Sequence, residues 1–182
     1  AGTELDLFDI MVAKTYDIER GFDLAEEYQL LLENNGNEKD LGSVGYDTIP
    51  ASTILQCVAG YIAKQVKRKD ILSLEKSRFI DAWPVVKDGI FYAVDYFTSH
   101  FRIPVSRLLP YNALLVPFTY FFIQNKGRTP SALQNKLLTQ YFWWASLNYR
   151  FSSAAETKLG QDIIKIDMIL KGEKPNYRGE EV

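Results

Sequence analysis

The sequence has one cysteine, Cys57, and one histidine, His100, in 182 residues. A lone cysteine forms no internal disulfide, which excludes a cystine-stapled secreted domain. The pair also leaves too few ligands for a structural zinc site. Phe97 stands three residues before His100, so the Glu-x-x-His pairs of carboxylate-bridged di-iron bundles are missing. Helical RNases of the HEPN type need an arginine five to seven positions before a histidine, where this chain has Ala93, Val94 and Asp95. Phosphate loops of the Gly-x-x-x-x-Gly-Lys and Gly-x-Gly-x-x-Gly types are absent. The longest apolar run, Ala113 to Ile123, is eleven residues and contains Pro117, against the roughly 20 that a bilayer-spanning helix needs. No basic segment precedes an apolar core at the N-terminus, so a soluble, cytoplasmic chain is expected. Neither sustained period-two alternation nor a fixed-period repeat occurs.

What is present suits one globular domain. Apolar residues make up 47% and charged residues 24%, and a chain of this length buries roughly 70% of its unfolded surface without staples. Bases and acids nearly balance at 21 against 23, but residues 1–40 hold eleven acids and only three bases. The densest basic patch is Lys64 to Arg78. Within it Lys64, Lys67, Arg68 and Lys69 are candidates to neutralise phosphates, against the simpler reading of solvated bases complementing a helix end.

Helical punctuation recurs along the chain, and the pattern predicts an all-α, compact bundle of about six to seven helices without a sheet. Thr3 and Asp6 can open a first helix carrying Leu7, Ile10, Met11, Lys14 and Ile18, stopped by Gly21. Asp23 and Glu26 open a second, with Phe22, Ala25, Leu30 and Leu31 inward. Residues 34–49 read as a mobile loop of Gly, Asn, Ser and charge. Pro50 suits the first turn of a third helix reaching about Lys67. The apolar segment Ser77 to Phe101 is expected to begin or kink at Pro84, and Asn112 to Asn125 to bend at Pro117. Thr129-Pro130 reads as the start of an aromatic helix to Tyr149, with Leu133, Leu137, Tyr141, Trp144 and Leu147 on one face. Ser152 or Ser153 is expected to cap a last helix through Leu170, carrying Leu159, Ile163 and Ile166, ended by Gly172 and Pro175. The aromatic helix and this last one are expected to form the stability centre. Residues 1–171 are thus expected as a single helical domain and 172–182 as a C-terminal tail.

The chemistry-bearing candidates are few. Glu156-Thr157-Lys158 has the Glu-x-Lys spacing of a metal-dependent nuclease, but that triplet belongs on a strand beside an upstream aspartate and here opens an amphipathic helix. Arg150, Glu156, Lys158 and Asp162 form either an inter-helix ion network or a contact for a ligand, DNA or another domain. Leu109, Pro110, Tyr111, Trp143 and Trp144 read as structural, the tryptophans as core. No catalytic residue, cofactor or metal is expected.

Two stretches are more distinctive than packing requires: Arg107-Leu108-Leu109-Pro110-Tyr111-Asn112-Ala113-Leu114-Leu115-Val116-Pro117, and Tyr141-Phe142-Trp143-Trp144 followed by Tyr149-Arg150-Phe151-Ser152-Ser153, Glu156-Thr157-Lys158-Leu159 and Asp162-Ile163. In that order they resemble the helical C-terminal half of the GmrS-like family of GmrSD-type bacterial restriction proteins. Gly2-Thr3-Glu4-Leu5 resembles the end of that family's Gly-Gly-Thr-x-Leu turn, and Leu7 to Ala13 the helix after it. The resemblance runs from Gly2 to about Asp162, with residues 34–49 unmatched. It implies a non-catalytic regulatory or scaffold fragment of a larger phage-defence protein. Its partners would be an N-terminal ParB-like nucleotide-handling domain and an HNH-type nuclease module, with DNA contact by this part alone not expected. The family's Asp-Gly-Gln-Gln-Arg motif and any His-Asn-His signature are absent from this chain. The alternative is a general helical protein-interaction module without a defence role.

Overall fold

The computed structural model describes residues 5–36 and 38–178; Gly2, Thr3 and Glu4, read above as part of a turn and cap, lie outside them. Among the described residues the fold is all-α. Its helices are α1 (Leu7–Thr15), α2 (Leu24–Leu32), α3 (Ala51–Ala63), α4 (Arg68–Leu72), α5 (Lys76–Ser99), α6 (Leu115–Gln124), α7 (Ala132–Leu147) and α8 (Ala155–Leu170). No strand forms among these residues; one isolated bridge pairs Asp17 with Phe22.

Local chemistry explains most boundaries. Asp6 caps α1 through the Asp9 N–H at 2.8 Å, and Asp23 caps α2 through the Ala25 N–H at 2.9 Å. The first helix stops at Thr15, so Ile18 falls beyond it and is exposed. Pro50 is the N-cap of α3 rather than a residue inside it, and Lys64 in the left-handed conformation (φ 55°) ends that helix three residues short of Lys67. The five-residue α4 therefore appears as an eighth helix, too short to show a period. Pro84 lies within α5, on its exposed face, and the helix continues through it. Pro117 sits in the first turn of α6, where a backbone N–H has no intrahelical partner, so no bend is needed. Ser131, not Thr129, caps α7: its hydroxyl accepts from the Gln134 N–H while the Gln134 side chain accepts from the Ser131 N–H. At α8 neither Ser152 nor Ser153 caps; Ala154 (φ 49°) precedes the helix without a side-chain cap.

Helix α6 is the centre of the molecule, packed against α3, α5 and α8, with every residue from Leu115 to Phe122 buried. Its Phe118 meets rings from α5, α7 and the α5–α6 connection. The approach of α5 to α6 is close enough that a Cβ on Gly89 would stand 2.5 Å from Ile123 Cγ1. By packing, the centre is thus α6 with its neighbours rather than α7 with α8. Helix α7 is apolar nearly all round, and contact geometry rather than pattern selects its inward side. Leu137, Leu138, Tyr141, Phe142 and Ala145 are buried, whereas Leu133, Trp143 and Leu147 are exposed and Trp144 is half-buried. Leu30 of α2, expected inward, is likewise exposed.

Within residues 34–49, described except for Asn37 and expected as a mobile loop, polar runs hide three apolar anchors. Leu41, Tyr46 and Ile49 are buried; the Leu41 N–H donates to Leu31 O at 2.8 Å and the Tyr46 hydroxyl to Ile103 O at 2.7 Å. The buried Asp40 carboxylate accepts from the Asn34 N–H at 2.8 Å and the Ser43 N–H at 2.6 Å. These donors, Asn34 first, hold its carboxyl below the usual carboxylate range. A depressed value means that this anchor is complete above the unfolded-state value, about 3.9, and is lost as pH falls through the lower folded value. Asp40→Ala is expected to speed tryptic cleavage after the neighbouring Lys39 at neutral pH, measured by limited proteolysis; an unchanged rate would mean the apolar anchors alone hold the segment.

Candidate functional site

The charged quartet read from the sequence divides in two. Arg150 and Asp162 meet in a buried cluster between the α7–α8 connection and α8; Glu156 and Lys158 lie at the first turn of α8, outside it. Tyr149 in the left-handed conformation (φ 52°) ends the turn after α7, and the Arg150 N–H donates to Ala145 O at 3.0 Å, which swings the Arg150 side chain inward. Its Nη2 donates to Asp162 Oδ1 at 2.6 Å and to Gln161 Oε1 at 3.0 Å, and its Nε lies 3.1 and 3.2 Å from the two Asp162 oxygens. The Tyr141 hydroxyl donates to Asp162 Oδ2 at 2.6 Å, and Lys165 Nζ stands 3.5 Å from Oδ1. Asp162 is wholly buried, and Arg150 and Lys165 nearly so.

An indole closes one side. The Arg150 guanidinium carbon lies 4.7 Å and Lys165 Nζ 5.5 Å from the Trp144 ring centroid, a cation–π arrangement strengthened by desolvation. Tyr177 packs on the same indole with centroids 4.4 Å apart. Burial first, then the Asp162 charge, raises the Tyr141 phenol well above its ordinary range, so it remains a proton donor to the carboxylate. The bidentate fork, the tyrosine donor and the second cation all serve one acid, which makes the cluster a clamp between α7 and α8. Lys165, Gln161 and Tyr177 were not picked out by sequence reasoning, and Tyr141 only as part of the aromatic helix and its distinctive stretch. The signal was the i,i+3 spacing of Asp162 and Lys165 flanking the apolar stripe of α8.

Glu156 is exposed and complements the N-terminal end of the α8 dipole. Lys158 reaches only the Ser153 hydroxyl, at 3.5 Å. Leu109 is buried, Pro110 exposed, and the Tyr111 ring meets Phe151 edge-on at 5.9 Å, so the two distinctive sequence stretches touch at this corner. Of the two tryptophans expected in the core, Trp143 faces solvent, because its position on α7 is turned away from both α6 and α8. His100 is exposed at the C-cap of α5, where it stacks on Tyr96 at 4.7 Å and its Nε2 lies 2.8 Å from Thr139 Oγ1. Cys57 is buried, and burial pushes its thiol up to about 12, which keeps it from acting as a thiolate nucleophile at neutral pH. Among the described residues no group of three or more His, Cys, Asp or Glu side chains could hold a metal ion, and no helix is long and apolar enough to cross a membrane.

The basic candidates are spread over two helix ends. Lys64 follows α3, pairs with Asp167 at 2.9 Å and sits over the Tyr120 ring. Lys67 is half-buried, and its N–H donates to Asp70 at 3.0 Å. Arg68 and Lys69 are exposed at the start of α4, where bases oppose the helix dipole instead of complementing it. With Lys64 tied to Asp167 and Lys67 half-buried, Arg68 and Lys69 are left to meet phosphates; at about 0.9 in salt slope per neutralised phosphate, a labelled DNA duplex is expected to bind weakly at low salt with a slope no steeper than about −2. Fluorescence anisotropy across a salt series checks this, and a slope beyond about −4 would assign the patch to DNA.

No protein-family model, curated protein or solved structure matches the chain.

Proposed function

We propose that this chain is a non-catalytic helical scaffold domain that docks, through the outer face of α7, onto the nucleotide-handling domain of a cytoplasmic GmrSD-type restriction protein. The single observation that carries docking is a solvent-exposed apolar face, whose Trp143 touches the body only edge-on through Phe142. Trp143 is 50%, Leu147 70% and Tyr149 72% exposed, and the first two share one side of α7 at i,i+4 spacing with Lys136 beside them. An exposed tryptophan beside a leucine on a helix face is the kind of anchor that dominates docking energetics. The ordered sequence resemblance supports the identity of the partner. The Arg150–Asp162 clamp supports the scaffold role, since its donors are spent on holding α7 against α8 rather than converging on open space.

The experiment is isothermal titration of this chain against a ParB-like domain of a GmrSD-type protein. Trp143→Ser is expected to weaken binding by roughly 30-fold or more, a hot-spot loss of about 2 kcal/mol, while moving the thermal midpoint by no more than about 2 °C. Absence of binding by the unaltered chain would overturn the partner. Binding indifferent to Trp143 would overturn the face.

A further inference from the structure

Beyond Trp143 and Leu147, the outward side of α7 carries Leu133, Lys136 and Gln140. These residues follow one another at steps of three, four, three and four, the a/d spacing of a coiled-coil seam. On a helix of 3.6 residues per turn they lie within about 80° of one another, turned away from the buried Leu137, Leu138, Tyr141, Phe142 and Ala145. Leu133 and Leu147 close the two ends of the stripe, about 21 Å apart at a rise of 1.5 Å per residue. All but Gln140 are exposed. Gln140 is half-buried and its Oε1 has no hydrogen-bond partner, so turning that amide outward breaks no bond at the oxygen.

Lys136 decides what can lie on this seam. It is exposed and forms no ion pair among the described residues. A cation at a seam position favours a facing helix that supplies a carboxylate and disfavours one that does not. Helix α7 has no aspartate or glutamate between Ala132 and Leu147. A second copy of the chain laid on this face would therefore bring lysine to lysine with no counter-charge. A helix from another domain, apolar along one side and acidic at one place, has no such conflict.

We propose that the outer face of α7 is one half of a two-helix coiled coil, and that the helix lying along it is an amphipathic segment of the docking partner with a carboxylate opposite Lys136. This rests on the docking reading and adds the partner's shape and charge to it: a helix along the whole stripe, not a pocket around Trp143 alone.

Isothermal titration of the full chain against the same ParB-like domain tests this. Leu133→Gln and Leu147→Gln remove apolar surface at opposite ends while keeping a good helix former, and each is expected to weaken binding about fivefold or more. Lys136→Glu is expected to weaken it about tenfold or more at low salt and less at high salt, with Lys136→Gln between. Ile164→Gln, exposed on α8 and off the seam, should leave binding unchanged. Far-ultraviolet dichroism should place every variant's thermal midpoint within about 2 °C of the unaltered chain, as expected of surface changes. Weakening by Trp143→Ser alone, or an unmoved Lys136→Glu, would overturn this inference and leave the docking reading standing. Failure of the unaltered chain to bind, or indifference to Trp143, would overturn both. A dimer of the chain by itself, seen by sedimentation and lost in Trp143→Ser, would assign the seam to a second copy and overturn the acidic helix.

Discussion

Replacing Asp162 with asparagine is expected to lower the thermal midpoint by about 6–20 °C. Removing one partner of a buried ion pair costs about 3–5 kcal/mol, and for a chain of this length each kcal/mol is worth about 2–4 °C. Asparagine matches the shape of aspartate, so packing is kept while the charge and one acceptor are removed. One of its two polar atoms becomes an NH2 group facing the Arg150 fork, which turns a short donor–acceptor contact into donor against donor. The Tyr141 hydroxyl and Lys165 lose the same charge at once, so the effect spreads over both helices. Calorimetry or far-ultraviolet dichroism with temperature measures it. Glu156→Gln, a comparable change on the exposed first turn of α8, is the control and should move the midpoint by a degree or two at most. Equal shifts for the two would mean that burial of the cluster carries no weight.

Phe118→Ala is the second large effect. Phe118 is fully buried on α6, with ring partners Phe97 at 5.0 Å, Tyr96 and Phe101 at 5.9 Å, Tyr141 at 6.0 Å and Phe142 at 6.3 Å. Deleting a buried phenyl group costs about 3–5 kcal/mol through lost transfer energy and the cavity left behind, again about 6–20 °C here. Phe118→Leu should recover a good part of it by refilling the hole. Trp144→Ala should cost less than Phe118→Ala, since Trp144 is only half-buried. The reverse order would move the centre of stability from α6 to α7.

Short-range chemistry was legible at many places along the chain. Asp23 announces α2 because a carboxylate before an apolar period satisfies N–H groups that the helix itself leaves open, whereas Asp6, read as the partner of a Thr3 cap, is itself the cap of α1. The stripe Leu159, Ile163, Ile166 is buried as its period requires, and Gly172 ends α8 as its conformational freedom allows. Misreadings arose where two local signals competed. Thr129-Pro130 and Ser131 both suit a helix start, and only the reciprocal Gln134 bond distinguishes them. The polar run 34–49 looked loose because its anchors, Leu41, Tyr46 and Ile49, are scattered singly among loop residues.

Of the candidate site, the sequence offered Arg150 and Asp162 as charges near a helix start but not as a pair. Nor could it separate them from Glu156 and Lys158, since on one helix a shift of two or three positions decides between solvent and core. What the sequence by itself determined was the all-α architecture and most helix limits, because capping, proline, glycine and a 3.6-residue period act within a few residues of chain. Only the tertiary structure decided which side of α7 turns inward, that Trp143 faces solvent while Trp144 covers a buried clamp, and that Tyr177 returns from the far end of α8 to cover it. A helix whose apolar residues spread beyond one stripe has no sharply preferred face of its own. Its orientation is set by α5, α6 and α8 packing against it, and those contacts join residues far apart along the chain.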